Sequence, residues 1–133
     1  MNKEKFTNLL ASILHEFFFH LELVDELAAI FKNSGQETSF LKVLLTRLKI
    51  LSDMGIDAVQ CAEFERLKKS DGLYSMHLSA GTYNIRILYA FLSDGRPVLL
   101  SAFYERDDSR ETDYTREIPK AQRRLEELED HPS

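Results

Sequence analysis

The sequence predicts an α+β fold, in which three short amphipathic strands between residues 71 and 106 are flanked by helical segments. The middle strand, Tyr83-Asn84-Ile85-Arg86-Ile87-Leu88-Tyr89, largely alternates apolar and polar side chains, as a half-buried strand requires. Asp94-Gly95 predicts a hairpin, because a two-residue type I′ turn needs positive φ at both positions. Leucines at steps of three and four in residues 41–51 predict an amphipathic helix before the strands.

Length and composition set the class of protein. At 133 residues the chain is long enough for one domain with its own hydrophobic core. One cysteine, Cys61, excludes an internal disulfide framework and indicates a reducing compartment. Since the chain shows neither a signal peptide nor a run of about 18 apolar residues, we expect a cytoplasmic protein with no membrane partner.

The net charge of −5 argues against a general nucleic-acid binder, because such a surface needs excess positive charge. The acids are concentrated near the ends, whereas residues 41–103 carry eight Lys and Arg against six Asp and Glu. A small RNA-facing patch in the centre of the chain is compatible with that distribution.

Residues 3–31 predict one or two helices, because apolar side chains recur there at helical spacing. On a helix Phe17-Phe18-Phe19 must point in three directions, so we expect this run in the core, with contact to a partner as the alternative. Asn33-Ser34-Gly35 predicts the loop that follows.

The clearest predicted helix spans residues 39–54, where a leucine stripe follows the helical period. Thr38 or Ser39 is expected to cap its start. Gly55 is expected to supply the left-handed residue just past its end.

The connector at residues 56–70 holds the densest basic patch of the chain, which consists of Arg66, Lys68 and Lys69. Charges of this kind are usually only solvated. Their position just before the strands makes contact with phosphate the alternative interpretation.

The predicted strand register follows from two-residue loops at Ala80-Gly81 and Asp94-Gly95. With these loops Ser75 faces Arg86, His77 faces Asn84, Arg86 faces Phe103 and Asn84 faces Glu105. The predicted apolar face consists of Tyr74, Met76, Leu78, Tyr83, Ile85, Ile87, Tyr89, Leu100 and Ala102. The predicted polar face consists of Ser75, His77, Asn84, Arg86, Ser101 and Glu105.

The C-terminal part predicts a polar loop at residues 105–114 and a helix at residues 116–129. Pro119 is expected in the first turn, so the helix should begin no earlier than about Arg116. We expect Leu125 and Leu128 of this helix to join the leucines of residues 39–54 on the apolar sheet face.

The polar face is the best candidate for chemistry. Arg86 offers a forked donor for a phosphate, and His77 can move a proton near neutral pH. The alternative is that Ser75, His77, Asn84 and Arg86 are simply the solvent side of an antiparallel sheet. The histidines lack metal-ligand spacing and Cys61 has no companion, so we expect no metal and no cofactor.

Four stretches carry a resemblance to a known family. They are the run from Phe64 to Tyr74, the run from Tyr83 to Tyr89, the run from Val98 to Arg106, and Glu117-Ile118-Pro119-Lys120-Ala121. Over roughly residues 38–128 the chain resembles the phage-derived Gp49-like, HigB branch of the RelE/ParE toxin superfamily. The resemblance implies one RelE/HigB-like domain over residues 1–133, with an atypical helical segment at about residues 1–35.

The resemblance implies a RelE-like α+β fold, with N-terminal helices packed on one face of a small antiparallel sheet and followed by a C-terminal helix. It implies the toxin of a type II toxin–antitoxin system, a metal-independent endoribonuclease (mRNA interferase) that cleaves ribosome-bound mRNA. A cognate antitoxin, of helix-turn-helix type, would be its partner. The implied catalytic residues are Arg86, His77 and Tyr114. The implied RNA-binding residues are Arg106, Lys68, Lys69, Ser75 and Asn84.

Two positions depart from the family pattern, because Ser75 and Glu105 stand where related toxins carry basic residues. A carboxylate at position 105 would repel RNA phosphate. This departure leaves an alternative open, a non-catalytic, phage-derived protein-interaction module on the same fold. Such a module would bind through the Phe17-Phe18-Phe19 region or the terminal helix.

Overall fold

The computed structural model describes residues 1–32, 34–80, 82–105 and 110–130. It is an α+β structure with four helices, one short 3-10 helix and five strands. In chain order the elements are α1 (Lys3–Leu14), β1 (Phe18–Phe19), α2 (Glu22–Phe31), α3 (Glu37–Met54), the 3-10 helix (Gly55–Gln60), β2 (Phe64–Arg66), β3 (Tyr74–Ala80), β4 (Tyr83–Phe91), β5 (Pro97–Tyr104) and α4 (Arg110–Asp130).

The five strands form one mixed sheet in the order β1-β5-β4-β3-β2. Strands β2 to β5 are antiparallel neighbours, whereas β1 pairs in parallel with β5 through Phe18–Val98 and Phe19–Leu99. The expected sheet was purely antiparallel, so β1 is an addition. It arises because Phe18 and Phe19 form a strand, where neighbouring side chains point to opposite sides. Phe18 is 39% exposed, so the expected place of the whole aromatic run in the core is wrong for this residue.

Helices cover both faces of the sheet. On one face α1, α2 and α3 enclose the larger core, which includes Leu44, Leu48 and Leu51 as predicted. On the other face α4 packs over a second cluster, against which Leu125 and Leu128 lie partly buried. The prediction that these two leucines share the core of the α3 leucines is therefore wrong, since α4 crosses to the opposite side.

The β3–β4 hairpin keeps the predicted faces and changes the predicted register. Ala80 pairs with Tyr83, so Ala80 lies in β3 and not in the loop, where it was predicted. His77 therefore faces Arg86, where Asn84 was expected. A shift of two residues preserves which side each side chain points to, because the strand period is two.

The β4–β5 hairpin contains a bulge that the sequence did not reveal. Its loop is closed by a hydrogen bond from the Leu92 N–H to the Arg96 carbonyl at 2.8 Å, and Gly95 adopts φ +88°. A loop of three residues with a left-handed glycine replaces the predicted two-residue turn. Leu88 pairs with Ser101 but Tyr89 pairs with Leu99, which leaves Leu100 as the extra residue.

The bulge has two consequences for the predicted faces. It restores the predicted pairing of Arg86 with Phe103, which is confirmed. It also turns Leu100 toward α4 and Leu99 toward the larger core, so the predicted place of Leu100 on the apolar face is wrong.

The two long helices begin earlier than expected. Helix α3 starts at Glu37, and neither Thr38 nor Ser39 caps it; Gly55 past its end is confirmed, with φ +55°. Helix α4 starts at Arg110 and holds Pro119 in its interior, so the predicted loop at residues 110–114 is wrong, and residues 106–109 lie outside the described part of the chain.

The N-terminal turns of α4 are held by tertiary contacts. Asp113 and Tyr114 are buried there, so burial and packing offset the hydrogen bond that the Pro119 ring removes. Among the residues described, no helix combines the length and the apolar character that a membrane span requires.

Candidate functional site

Arg86 and His77 lie side by side on the face of the sheet that α4 covers. They are direct cross-strand partners on β4 and β3, and their neighbours Ile87 and Met76 point into the larger core on the other side. The His77 backbone is fixed from both sides, since its N–H donates to the Glu63 carbonyl at 2.7 Å and its carbonyl accepts from Arg47 Nε at 2.9 Å. The hairpin thus places an imidazole and a guanidinium in one row.

The Arg86 guanidinium is committed to partners within the chain. One terminal nitrogen lies 2.5 Å from the Glu105 carboxylate, and the other donates to Asn84 Oδ1 at 2.6 Å. Arg86 is 7% exposed and Glu105 is 5% exposed, so this is a buried ion pair. The Glu105 N–H also donates to the Asn84 carbonyl at 2.9 Å, which fixes the carboxylate-bearing residue beside Arg86.

The polar cluster includes one residue that sequence reasoning missed. Ser79 Oγ donates to Asn84 Oδ1 at 2.9 Å and lies 3.4 Å from an Arg86 nitrogen. It was missed because the expected loop placed Asn84 opposite His77, whereas Asn84 pairs with Ser79. The correct position of the β3–β4 loop would have placed Ser79 opposite Asn84 and so revealed it.

Solvent exposure was expected for Ser75, His77, Asn84 and Arg86 and is wrong for two of these four. Ser101 and Glu105 of the same face are buried as well. Ser75 is fully buried and Arg86 nearly so, while His77 and Asn84 are half-buried. The physical reason is that α4 packs on this face, and a single strand pattern does not reveal what covers a polar face.

Tyr114 reaches the same face from α4. Its hydroxyl lies 2.9 Å from Ser75 Oγ, and its ring packs edge-on against Phe103 with centroids 5.2 Å apart. Ser75 pairs with Leu88, two residues along β4 from Arg86. The structure therefore brings the three predicted catalytic residues to one side of the sheet, with Tyr114 displaced by one side-chain row from Arg86 and His77.

The predicted RNA-binding lysines do not join this cluster. Lys68 and Lys69 are exposed and follow β2, whose last residue Arg66 pairs with Tyr74. Tyr74 is three residues from His77 along β3, or roughly 10 Å at the rise of a strand. The lysines thus lie beyond the Tyr74 end of β3, whereas His77 and Arg86 lie near the middle of their strands; Arg106 lies outside the described residues.

A second ionic cluster, which sequence reasoning also missed, joins α2 to α4 at the β5 edge. Glu26 Oε1 accepts from the Ala102 N–H at 3.1 Å, and an Arg124 nitrogen donates to the Leu100 carbonyl at 3.0 Å. Glu26 and Arg124 also form a forked pair at 2.7 and 3.0 Å, and Lys120 adds a third contact at 3.0 Å. Glu26 and Arg124 thus form hydrogen bonds with backbone groups of β5 that lie beyond the two residues paired with β1.

The pKa of Glu26 reflects this setting. Burial raises the pKa, but hydrogen bonds from Arg124, Lys120 and the Ala102 N–H outweigh burial and leave it below its ordinary value. The cluster joins residues 98 positions apart, so no local pattern in the sequence could have indicated it.

Within the described ranges no group of three His, Cys, Asp or Glu side chains is placed to hold a metal ion. The chemical groups on the polar face are a guanidinium, an imidazole, hydroxyls, an amide and the Glu105 carboxylate that pairs with Arg86. Neither a protein-family model nor a curated protein matches this chain.

Proposed function

We propose that this chain is a RelE/HigB-like toxin that cleaves ribosome-bound mRNA, with an antitoxin as its protein partner. The observation that carries the proposal is the cross-strand pair of His77 and Arg86 on one sheet face. It places a group able to neutralise a phosphate next to a group able to transfer a proton, which is what metal-independent cleavage of RNA needs.

The architecture supports the same proposal at the level of the fold. Helices precede an antiparallel three-strand meander, and a helix follows it, in the order expected from the resemblance. The finer assignment to a RelE-like fold is part of the proposal.

In the proposed reaction the ribose 2′-oxygen attacks the adjacent phosphorus, and the bond to the departing 5′-oxygen breaks. Arg86 binds the phosphate oxygens and stabilises the charge that builds up on them. The attacking 2′-hydroxyl loses a proton to a base and the departing 5′-oxygen gains one from an acid. His77 is our candidate for one of these two transfers, and Tyr114 is the further candidate on the same face. The Glu105 carboxylate forms an ion pair with the Arg86 guanidinium at 2.5 Å. The phosphate must therefore displace this carboxylate before Arg86 can bind it.

One observation favours a second candidate, a non-catalytic protein-interaction module. A guanidinium that is 7% exposed and paired with a buried carboxylate is what a structural ion pair looks like. In that case Arg86 fixes the end of the sheet and contacts no substrate.

Induced expression in a bacterial host separates the two candidates. A toxin stops growth and leaves cleaved mRNA, whereas an interaction module leaves both unchanged. Arg86→Ala would abolish toxicity but also removes an ion-pair partner of the buried Glu105 carboxylate, so the variant Arg86→Gln/Glu105→Gln is the better test. It removes both charges, keeps polar groups of similar size and should cost 10²–10³ in cleavage rate.

Two further variants complete this experiment. His77→Ala should cost roughly 10²–10⁴ in rate if His77 transfers a proton. Asn84 is not a neutral control, because it accepts a hydrogen bond from Arg86. Lys49→Ala serves instead, since Lys49 is exposed on α3, which lies on the other side of the sheet. Unaltered growth and intact mRNA on expression of the wild type would refute the nuclease proposal.

A further inference from the structure

An open groove lies between the end of β2 and helix α4, and Tyr114, whose hydroxyl contacts Ser75, is among the residues that line it. Its volume is about 690 Å³, within the range of about 300–1,000 Å³ that is common for ligand sites. Its lining combines the apolar side chains Leu67 and Ile118 with the cations Arg66 and Lys68. The other lining residues are Glu65, Tyr114 and Thr115, so one carboxylate stands against two cations among the described residues.

Three cations beside this groove are clustered within four positions of the sequence and have no ion pair among the described residues. Arg86, Arg96, Arg116, Lys120 and Arg124 are each paired with carboxylates inside the chain. Arg66, Lys68 and Lys69 are exposed, and none of the described carboxylates lies within ion-pairing distance of them. In a chain with net charge −5 this is a local concentration of positive charge that the fold itself does not use.

The turn that carries these cations is strained and firmly held. Lys69 and Asp71 have φ +57°, and they are the non-glycine residues with positive φ among those described. Buried Ser70 fixes the turn, since its Oγ donates to the Leu67 carbonyl at 2.6 Å and its carbonyl accepts from Gln122 of α4 at 2.8 Å. Strain that its surroundings maintain is typical of ligand-binding segments, and a fixed turn loses little entropy on binding.

We propose that this groove binds an acidic, amphipathic segment of a partner protein. The carboxylates of such a segment would meet Arg66, Lys68 and Lys69, and its apolar side chains would cover Leu67 and Ile118. Apolar side chains beside unpaired cations favour this occupant, because its carboxylates and its apolar side chains would both be used. RNA, whose phosphates need the cations and whose bases can stack on Tyr114, is the competing occupant that the test separates. The inference does not depend on the proposed nuclease function.

Fluorescence anisotropy with three labelled probes tests the inference. The probes are a short peptide in which glutamates alternate with leucines, the same peptide with serines in place of the leucines, and a single-stranded RNA of matched charge. The purified full chain should bind the glutamate–leucine peptide at least about tenfold more tightly than either other probe, a difference of about 1.4 kcal/mol. The affinity should fall as salt is added.

Variants locate the binding to the groove. Lys68→Glu should weaken binding of the glutamate–leucine peptide about tenfold, whereas Lys49→Glu, the same charge change on exposed α3, should leave it unchanged. Ile118→Ser should also weaken it, with the thermal midpoint of each variant measured to show that the fold is retained.

Several outcomes would overturn the inference. These are no binding of the glutamate–leucine peptide, equal binding of the serine peptide, or equal loss of affinity in Lys49→Glu. Tighter binding of RNA that is lost in Lys68→Glu would assign the groove to nucleic acid instead. None of these readouts depends on toxicity or mRNA cleavage, so failure here and failure of the nuclease proposal are distinguishable.

Discussion

Replacing Arg86 with methionine should lower the free energy of unfolding by about 3–5 kcal/mol. The change removes an ion-pair partner of the Glu105 carboxylate, which is 5% exposed. Glu105→Leu should have a cost of the same size, because the guanidinium is then the unpaired buried charge.

The double variant Arg86→Met/Glu105→Leu separates the stability contributed by the ion pair from the cost of removing only one of its two buried charges. Removing both charges also removes the desolvation cost of each, so the double variant should lie within about 1 kcal/mol of the wild type or be more stable. Arg96→Met provides the control, since Arg96 pairs with Asp94 at 2.7 Å but both side chains are half exposed. It should cost at most about 1 kcal/mol.

The measurement is urea unfolding at neutral pH, followed by far-ultraviolet circular dichroism, with the single and double variants forming a thermodynamic cycle. Single variants that each cost less than about 1 kcal/mol would show that the pair is solvated and not buried. A double variant whose cost equals the sum of the singles would show that Arg86 and Glu105 do not interact.

Three further predictions address the cores and the edge of the sheet. Leu48→Ala should lower the free energy of unfolding by roughly 2–5 kcal/mol, because the Leu48 side chain is 3% exposed on the inner side of α3. A cost below about 1 kcal/mol would mean that this side chain is not packed. Tyr89→Phe should leave the stability unchanged or raise it by about 1 kcal/mol, since its buried hydroxyl has no hydrogen-bond partner among the described residues. Burial, with a smaller effect of Tyr74, raises the pKa of Tyr89, so wild-type stability should fall above pH 10 and Tyr89→Phe should fall less steeply. The pKa of Glu26 is lowered in the folded state, so Glu26 contributes stability above about pH 4.3, and this contribution is lost as the pH falls through the folded-state pKa. Glu26→Gln should therefore lose less stability than the wild type below about pH 5.

The alternation of side chains along the strands was predictable from the sequence because it depends only on local geometry. It placed His77 and Arg86 on one face and Ile85 and Ile87 on the other, and both placements are confirmed. The helical period likewise indicated α3, whose leucine stripe lies in the larger core. These patterns survive small errors of register, since a shift of two residues changes no face.

The position of the hairpin loops was not predictable to the residue. The β3–β4 loop lies one residue further along the chain than expected, and a bulge at Leu100 compensates for the longer β4–β5 loop. Both choices depend on how the finished sheet packs, which a dipeptide such as Asp94-Gly95 does not specify. Their effect on the site is direct, because they set Arg86 opposite His77 and turn Leu100 toward α4.

The burial of the polar face could not be predicted from the sequence for a different reason. It depends on α4, which begins at Arg110 despite Pro119 and brings Tyr114 onto Ser75 from 39 positions away. The ion pair of Arg86 with Glu105 was likewise not foreseen, because both residues were expected on an open surface.

Cleavage of mRNA on purified bacterial ribosomes tests the central claim most directly, with fragment ends mapped after addition of each variant. The proposal predicts that the wild type cleaves, that Glu105→Gln cleaves faster because Arg86 no longer faces a competing carboxylate, and that Arg86→Gln/Glu105→Gln loses at least about 10² in rate. Intact mRNA with both the wild type and Glu105→Gln would contradict the account, and so would cleavage that persists without Arg86.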